Sequence, residues 1–291
     1  LDGKLDDEAM RAMCEMYVAD GVHGVLVNGT TGEWFSQTPE ERRRVAEIAV
    51  ESVGGAVPVV IGCTTYTPAE TIELARHAAS IGADGACSTP PPYAHPSTEE
   101  IVHFYATITE AVDLPWMVYN WPRGTAVDID VATCIRLAQL ERVVAIKDST
   151  GDELKCARAC EAVSGDVAFF GRFIHRVGLA FYRELGGAGN IDGGGLGARY
   201  SVPYFEALWA GDLGEARELG ARYAALSSSI VNPDYSGKFA SPTAQLKAAM
   251  RLLAQPGGYV RPPLLELTDP EALRLLGDAL ADAGLMDREP S

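Results

Sequence analysis

The sequence predicts an α/β fold, a (β/α)8 (TIM) barrel followed by a C-terminal helical extension, and three observations carry that prediction. Short apolar runs recur every 25 to 35 residues through the first 192 positions. The stretches between them open with helix-start signals, and beyond Asp192 only helical patterns continue. Strands apolar on both faces that alternate with helices leave two main architectures, a doubly wound open sheet or a closed barrel.

The first segment, LDGKLDDEAMRAMCEMYVADG, reads as a loop and a helix. Apolar runs follow at 22–28, 57–63, 83–89, 114–120, 142–148 and 167–172, with a weaker one at 187–192. Four intervening helices are predicted to start at a Ser or Thr with Glu three residues later: Thr38 with Glu41, Thr67 with Glu70, Ser97 with Glu100 and Thr150 with Glu153. Such a box satisfies N–H groups that the first helical turn leaves unbonded, and Pro39 and Pro68 sit where proline suits the first helical position. The runs number seven, and the chain enters on a helix, so a first strand is expected before residue 1, within roughly 10 to 20 further residues, to close the barrel at eight. Helices are then expected over 201–229, over 242–255 after Ser241 and Pro242, and over 268–284 behind Thr268, Pro270 and Glu271. The barrel is assigned to 1–210 and the helical extension to 211–291.

Composition narrows the function. A net charge of −16 argues against nonspecific binding of nucleic acid or anionic membrane. Hydrophobic residues make up 47% of the chain, with no apolar run approaching the ~18 residues of a membrane span. The cysteines (Cys14, Cys63, Cys87, Cys134, Cys156 and Cys160) lack the spacing of a zinc site or redox pair, and buried free thiols in a reducing cytoplasm are expected. No metal cluster is visible in the sequence, and no metal or other cofactor is expected.

In a (β/α)8 barrel the chemistry lies where the strands end. The run at 22–28 ends in Asn28-Gly29-Thr30-Thr31-Gly32-Glu33, the run at 114–120 in Tyr119-Asn120, and the run at 142–148 in Lys147-Asp148-Ser149. Lys147 is one of only five lysines and follows Val143, Val144, Ala145 and Ile146. Partial desolvation there frees its amine as a nucleophile toward a carbonyl; the alternative is a structural lysine paired with Asp148 or Glu33. Thr30 and Thr31, flanked by Gly29 and Gly32, offer hydroxyls and backbone N–H groups to a carboxylate, or simply cap the next helix. Tyr119 is a proton-relaying phenol or a barrel-core aromatic. Arg172 or Asp192, at the last two strand ends, selects a polar or acidic substrate tail, or else forms a surface ion pair or a turn cap.

Together, "GTTGE", "YN-x-P" and "IK-[DE]-x-TG", in this order and spacing, resemble the dihydrodipicolinate synthase and N-acetylneuraminate lyase family of pyruvate-type class I aldolases. The likeness runs over nearly the whole chain. It implies that Lys147 forms a Schiff base with a 2-keto acid, that Tyr119 transfers protons, and that Thr30 links Tyr119 to Tyr93 of a neighbouring subunit. It also implies that Thr31 and the adjacent amides, Gly29 among them, bind the keto-acid carboxylate, and that the backbone of Ile191 lines the site. A homotetramer built as a dimer of dimers is the assembly it implies.

The departures concern the second substrate. The synthases typically continue "YN-x-P-x-R-T-G"; here Gly124 holds the arginine position, Arg123 precedes it, Trp121 is bulky and Ala126 replaces a glycine. The second substrate is therefore expected to differ from the synthase's aspartate semialdehyde. The leading expectation is a lyase cleaving or condensing a 2-keto acid and an aldehyde. A dehydratase of 2-keto-3-deoxy sugar acids would use the same iminium, and a catalytically silent ligand-binding or regulatory barrel is the reading of another class. A third, from the glycine-rich run at 186–197, is a phosphate cradle, whose alternative is close backbone packing.

Overall fold

The computed structural model describes residues 3–287. Helix α1 (Asp7–Ala19) leads into β1 (Val25–Val27), α2 (Pro39–Val53), β2 (Val59–Gly62), α3 (Pro68–Ser80), β3 (Gly85–Ser88), α4 (Thr98–Ala111) and β4 (Trp116–Asn120). A single turn, α5 (Pro122–Thr125), precedes α6 (Val131–Ala138), β5 (Val143–Asp148), α7 (Glu153–Val163), β6 (Ala168–Phe170), α8 (Leu179–Glu184) and β7 (Gly187–Gly189). Four helices follow: α9 (Ala198–Ala210), α10 (Leu213–Ile230), α11 (Pro242–Leu252) and α12 (Pro270–Asp282). Every strand pair is parallel, and the spatial order β1 to β7 is the chain order, a curled sheet with the connectivity of a (β/α)8 barrel. No ladder joins β7 to β1 among the described residues.

Strand periodicity sorts the core into two layers. On β4, Trp116 and Val118 pack outward with the helices, whereas Met117 and Tyr119 join Cys87 and Ala145 in a separate cluster inside the sheet. All six cysteines are free and buried. Burial pushes the Cys63 and Cys87 thiols up to about 12, which leaves them as packing groups. Among the described residues no helix is long and apolar enough to cross a membrane.

The boxes at Thr38 and Ser97 form with both reciprocal bonds, and Thr67 caps α3 by accepting from the Glu70 N–H. The predicted box at Thr150 does not form. Asp148 Oδ1 accepts the Thr150 N–H at 2.7 Å, Gly151 turns the chain at φ +78°, and Asp152 caps α7 instead. A strand-end carboxylate thus outcompetes the local cap. The helix expected over 201–229 is two, because Gly211 adopts φ +82° and Asp212 caps a new start. The last helix begins behind Asp269 rather than Thr268.

The glycines at 193–197 are close-approach positions. An added Cβ would lie 2.9 Å from Thr31 Oγ1 at Gly193, 2.6 Å from Leu246 at Gly194, 2.6 Å from Tyr17 at Gly195 and 2.5 Å from Tyr223 at Gly197. Side chains from other elements fill the space that a phosphate cradle would need left open.

Candidate active site

Two adjacent strand ends build the centre of the site. The β4–β5 register places Tyr119 beside Lys147 and Asn120 beside Asp148. Since alternate residues face opposite sides, the first pair points into the sheet's concavity and the second toward the helices. Asn120 and Asp148, both buried, lock this register. Asn120 Nδ2 donates to Asp148 Oδ2 and to Asp128 Oδ1, each at 3.0 Å, and its Oδ1 accepts the Ile129 N–H at 3.0 Å.

Desolvation raises the Asp148 pKa, and the Asn120 hydrogen bond pulls it back in part. Replacing Asn120 by leucine removes the side-chain donor from this carboxylate, which keeps the Thr150 N–H, and leaves the Ile129 N–H without its acceptor; the expected cost is on the order of 3 kcal/mol in urea denaturation at pH 7. A carboxyl whose folded pKa lies above its unfolded value takes up a proton more readily when folded, so its ionisation costs stability as pH rises through that interval. The loss in the variant should therefore shrink as the pH is lowered toward 4, where a protonated Asp148 no longer needs the amide donor.

Lys147 is half-buried, with Nζ 3.9 Å from the centre of the Tyr119 ring. Both carboxylates that could have made it a structural lysine are engaged elsewhere. Glu33 is paired with Lys247 at 2.5 Å and accepts the Arg261 N–H at 3.1 Å. Asp148 is held by Asn120 and lies 3.9 Å from Lys155. Among the described residues no carboxylate lies within ion-pair distance of Lys147, so its amine is available to an incoming carbonyl.

A cavity of about 400 Å³ opens over this pair, and its walls include Thr30, Thr31, Arg123, Arg172, Ile191 and Asp192. Thr30 and Tyr119 share the cavity, but no hydrogen bond joins their hydroxyls among the described residues. Gly29 is packed under the turn against Leu26 and does not line the cavity. Tyr93 is 88% exposed and also lies outside it.

The charged wall residues differ in what holds them. The Arg123 guanidinium is taken by Asp234, whose carboxylate it meets at 2.9 Å. Asp192 accepts from the Tyr223 hydroxyl and, at 2.6 Å, from Asn190 Nδ2. Among the described residues Arg172 makes neither a surface ion pair nor a turn cap; it lies over the Tyr235 ring, 4.6 Å from its centre, and donates to Ser227 Oγ at 3.1 Å. Tyr223, Ser227 and Tyr235 were not visible as site residues in the sequence, because they lie beyond the last strand. The Asn232-Pro233-Asp234 turn signal before Tyr235 marks the loop but not what it covers.

The indole of Trp121 folds back over the α5 turn. A Cβ added at Gly124 would lie 2.2 Å from its Nε1, so the missing arginine and the bulky tryptophan are one structural feature.

The sequence profile described as the dihydrodipicolinate synthetase family matches residues 1–280. The chain belongs to this family. It is a lyase of the class I aldolase type. The 4-hydroxy-tetrahydrodipicolinate synthase of Phenylobacterium zucineum (strain HLK1) is 35% identical over 293 residues, covering 98% of this chain and 94% of that protein. Among solved structures, the chloride-inhibited dihydrodipicolinate synthase of Acinetobacter baumannii complexed with pyruvate superposes with a TM-score of 0.85 at 27% identity, over 98% of this chain and 95% of that one. YagE, a prophage protein of the same family from E. coli K12 solved in complex with pyruvate, superposes with a TM-score of 0.86 at 26% identity, over 97% and 94% of the two chains. The family's motifs are thus the strand ends that meet at the cavity.

Proposed function

We propose that Lys147 forms a Schiff base with a pyruvate-type 2-keto acid, and that the protein cleaves or condenses that acid with a second substrate other than the synthase's aspartate semialdehyde. The observation that carries this reading is the Lys147 amine, unpaired with any described carboxylate and set against the Tyr119 ring in a cavity rimmed by Thr30 and Thr31. Attack of the amine on the keto carbon gives a carbinolamine, which loses water to an iminium. The iminium draws electrons from the adjacent carbon, so loss of a C3 proton, or cleavage of a C3–C4 bond, leaves an enamine. The reverse step forms a new carbon–carbon bond to an aldehyde, and water then releases the product. Tyr119 passes protons to and from the carbinolamine and aldol oxygens. The turn at Thr30 and Thr31 holds the keto-acid carboxylate through hydroxyls and amides. The covalent imine supplies the electron sink, so no metal or other cofactor is required.

The difference in second substrate rests on the β4 rim, where Trp121 occupies the space of an arginine side chain at position 124 and Asp234 engages Arg123. Tyr93, with Phe35 and Tyr66 exposed at 40% and 63%, supports assembly into a homotetramer in which Tyr93 reaches a neighbouring site.

Borohydride reduction in the presence of pyruvate, with intact mass and peptide mapping, tests the Schiff base; no pyruvate-derived mass on Lys147 would defeat the pyruvate reading. A panel of aldehydes and 2-keto-3-deoxy sugar acids then separates aldol chemistry from dehydration. Replacing Tyr119 by phenylalanine should preserve the trapped adduct while lowering kcat by roughly 10²- to 10⁴-fold; an unchanged kcat would remove the phenol from the proton path.

A further inference from the structure

We propose that Arg172, seated on the ring of Tyr235, is the docking point for a second anion, so that the partner of the keto acid is a carboxylate-bearing aldehyde. This rests on the Schiff-base reading and adds the class of the second substrate. Among the described residues four charged side chains line the cavity: Arg123, Lys147, Arg172 and Asp192. Asp234 neutralises Arg123, and Asp192 is held by the Tyr223 and Asn190 donors. The amine of Lys147 is committed to the keto carbon. Arg172 is what remains, a half-buried cation with no carboxylate within ion-pair distance among the described residues and a hydrogen bond to Ser227. A guanidinium carries five N–H donors in a planar fork that matches a carboxylate with two parallel bonds. With the Tyr235 face beneath it, the fork is held at low cost in side-chain freedom.

The platform itself is a built feature. Tyr235 adopts φ +64°, a conformation disfavoured for a bulky side chain, at the tip of a small hairpin closed by the Val231–Gly237 bridge. The Arg123–Asp234 pair ties that hairpin to the α5 turn. Gly151 makes room for the ring, since a Cβ there would lie 3.1 Å from Tyr235 Cε2. Trp121 meets the ring edge-on at 5.8 Å between centres. Strain at one loop residue, held from three sides and set under an unpaired guanidinium, is what preorganisation of a binding group looks like. The anion-binding arginine thus stands after β6, while the β4 rim, where the synthase pattern puts one, is closed by Trp121. A carboxylate rather than a phosphate is indicated, because no second unpaired cation lines this wall among the described residues.

The test needs no turnover. The pyruvate adduct is reduced onto Lys147, and the adduct, along with the unmodified protein, is titrated by NMR with butyrate, its neutral counterpart butanamide, and propyl phosphate. Butyrate is expected to bind at least tenfold more tightly than either, and the butyrate–butanamide difference should vanish in Arg172→Met. Tyr235→Ala should weaken butyrate binding, and Tyr235→Phe should keep it. Equal binding of butyrate and butanamide, a preference that survives Arg172→Met, or tighter binding of propyl phosphate would overturn the proposal. Failure of the adduct to form would count against the Schiff-base reading alone, since the titration of unmodified protein still reports on Arg172. With adduct-competent protein, succinic semialdehyde should exceed butanal in kcat/KM by at least tenfold, and Arg172→Met should bring the two together.

Discussion

Lys147→Ala is expected to abolish the borohydride-trapped adduct and to lower turnover by on the order of 10⁴-fold or more, as removal of a covalent nucleophile does. The fold should survive, because Lys147 makes no described ion pair and its main contact is the Tyr119 ring. Its thermal midpoint should stay near that of the parent. The other lysines offer no substitute in the cavity. Lys155 is bound by Asp128 and faces Asp148, Lys247 by Glu33 and the Tyr259 carbonyl, and Lys238 by the Ser228 carbonyl. Lys4 does not line the cavity. An adduct that persisted on another lysine, or turnover within tenfold of the parent, would sink the assignment.

Gly124→Arg introduces the arginine of the synthase pattern and is nevertheless expected to be harmful. An added Cβ meets the Trp121 indole at 2.2 Å, so the ring must leave its place over the turn. Forced repacking of this kind costs about 1–3 kcal/mol, read as a lowered denaturation midpoint. Displacing Trp121 also disturbs its stacking on Tyr119 and its edge contact with Tyr235, so kcat/KM should fall together with stability. The double variant Trp121→Ser, Gly124→Arg should recover most of the stability. If the single variant were as stable as the parent, Trp121 would not be what excludes the arginine. Gain of aspartate semialdehyde activity by the double variant but not the single would tie substrate choice to this one pair.

Much of the architecture was legible because it follows from local rules. Thr38, Thr67 and Ser97 cap helices through their own neighbours, and the strands carry apolar residues on both faces, so seven parallel strands with intervening helices could be read in order. The misreadings arose where a distant or competing group intervened. Asp148, a strand-end residue, claims the Thr150 N–H and moves the start of α7, and Gly211 divides a pattern that amphipathicity alone would continue.

At the site, strand order put Lys147 and Tyr119 at the barrel mouth, since a residue closing an apolar strand has few places to go but there, yet each kept a structural alternative until the family resemblance was weighed with it. Which charges remain available there could not be read along the chain. Glu33 is engaged by Lys247, Arg123 by Asp234 and Asp192 by Tyr223, partners that lie 31 to 214 residues away in sequence. Electrostatic pairing depends on distance in space, and only the folded helices α10 and α11 with the hairpin between them bring those partners to the mouth. The place of Lys147 at a strand end was therefore written in the strand pattern, whereas the setting of Arg172 on Ser227 and the Tyr235 ring exists only once the C-terminal helices have packed against the sheet.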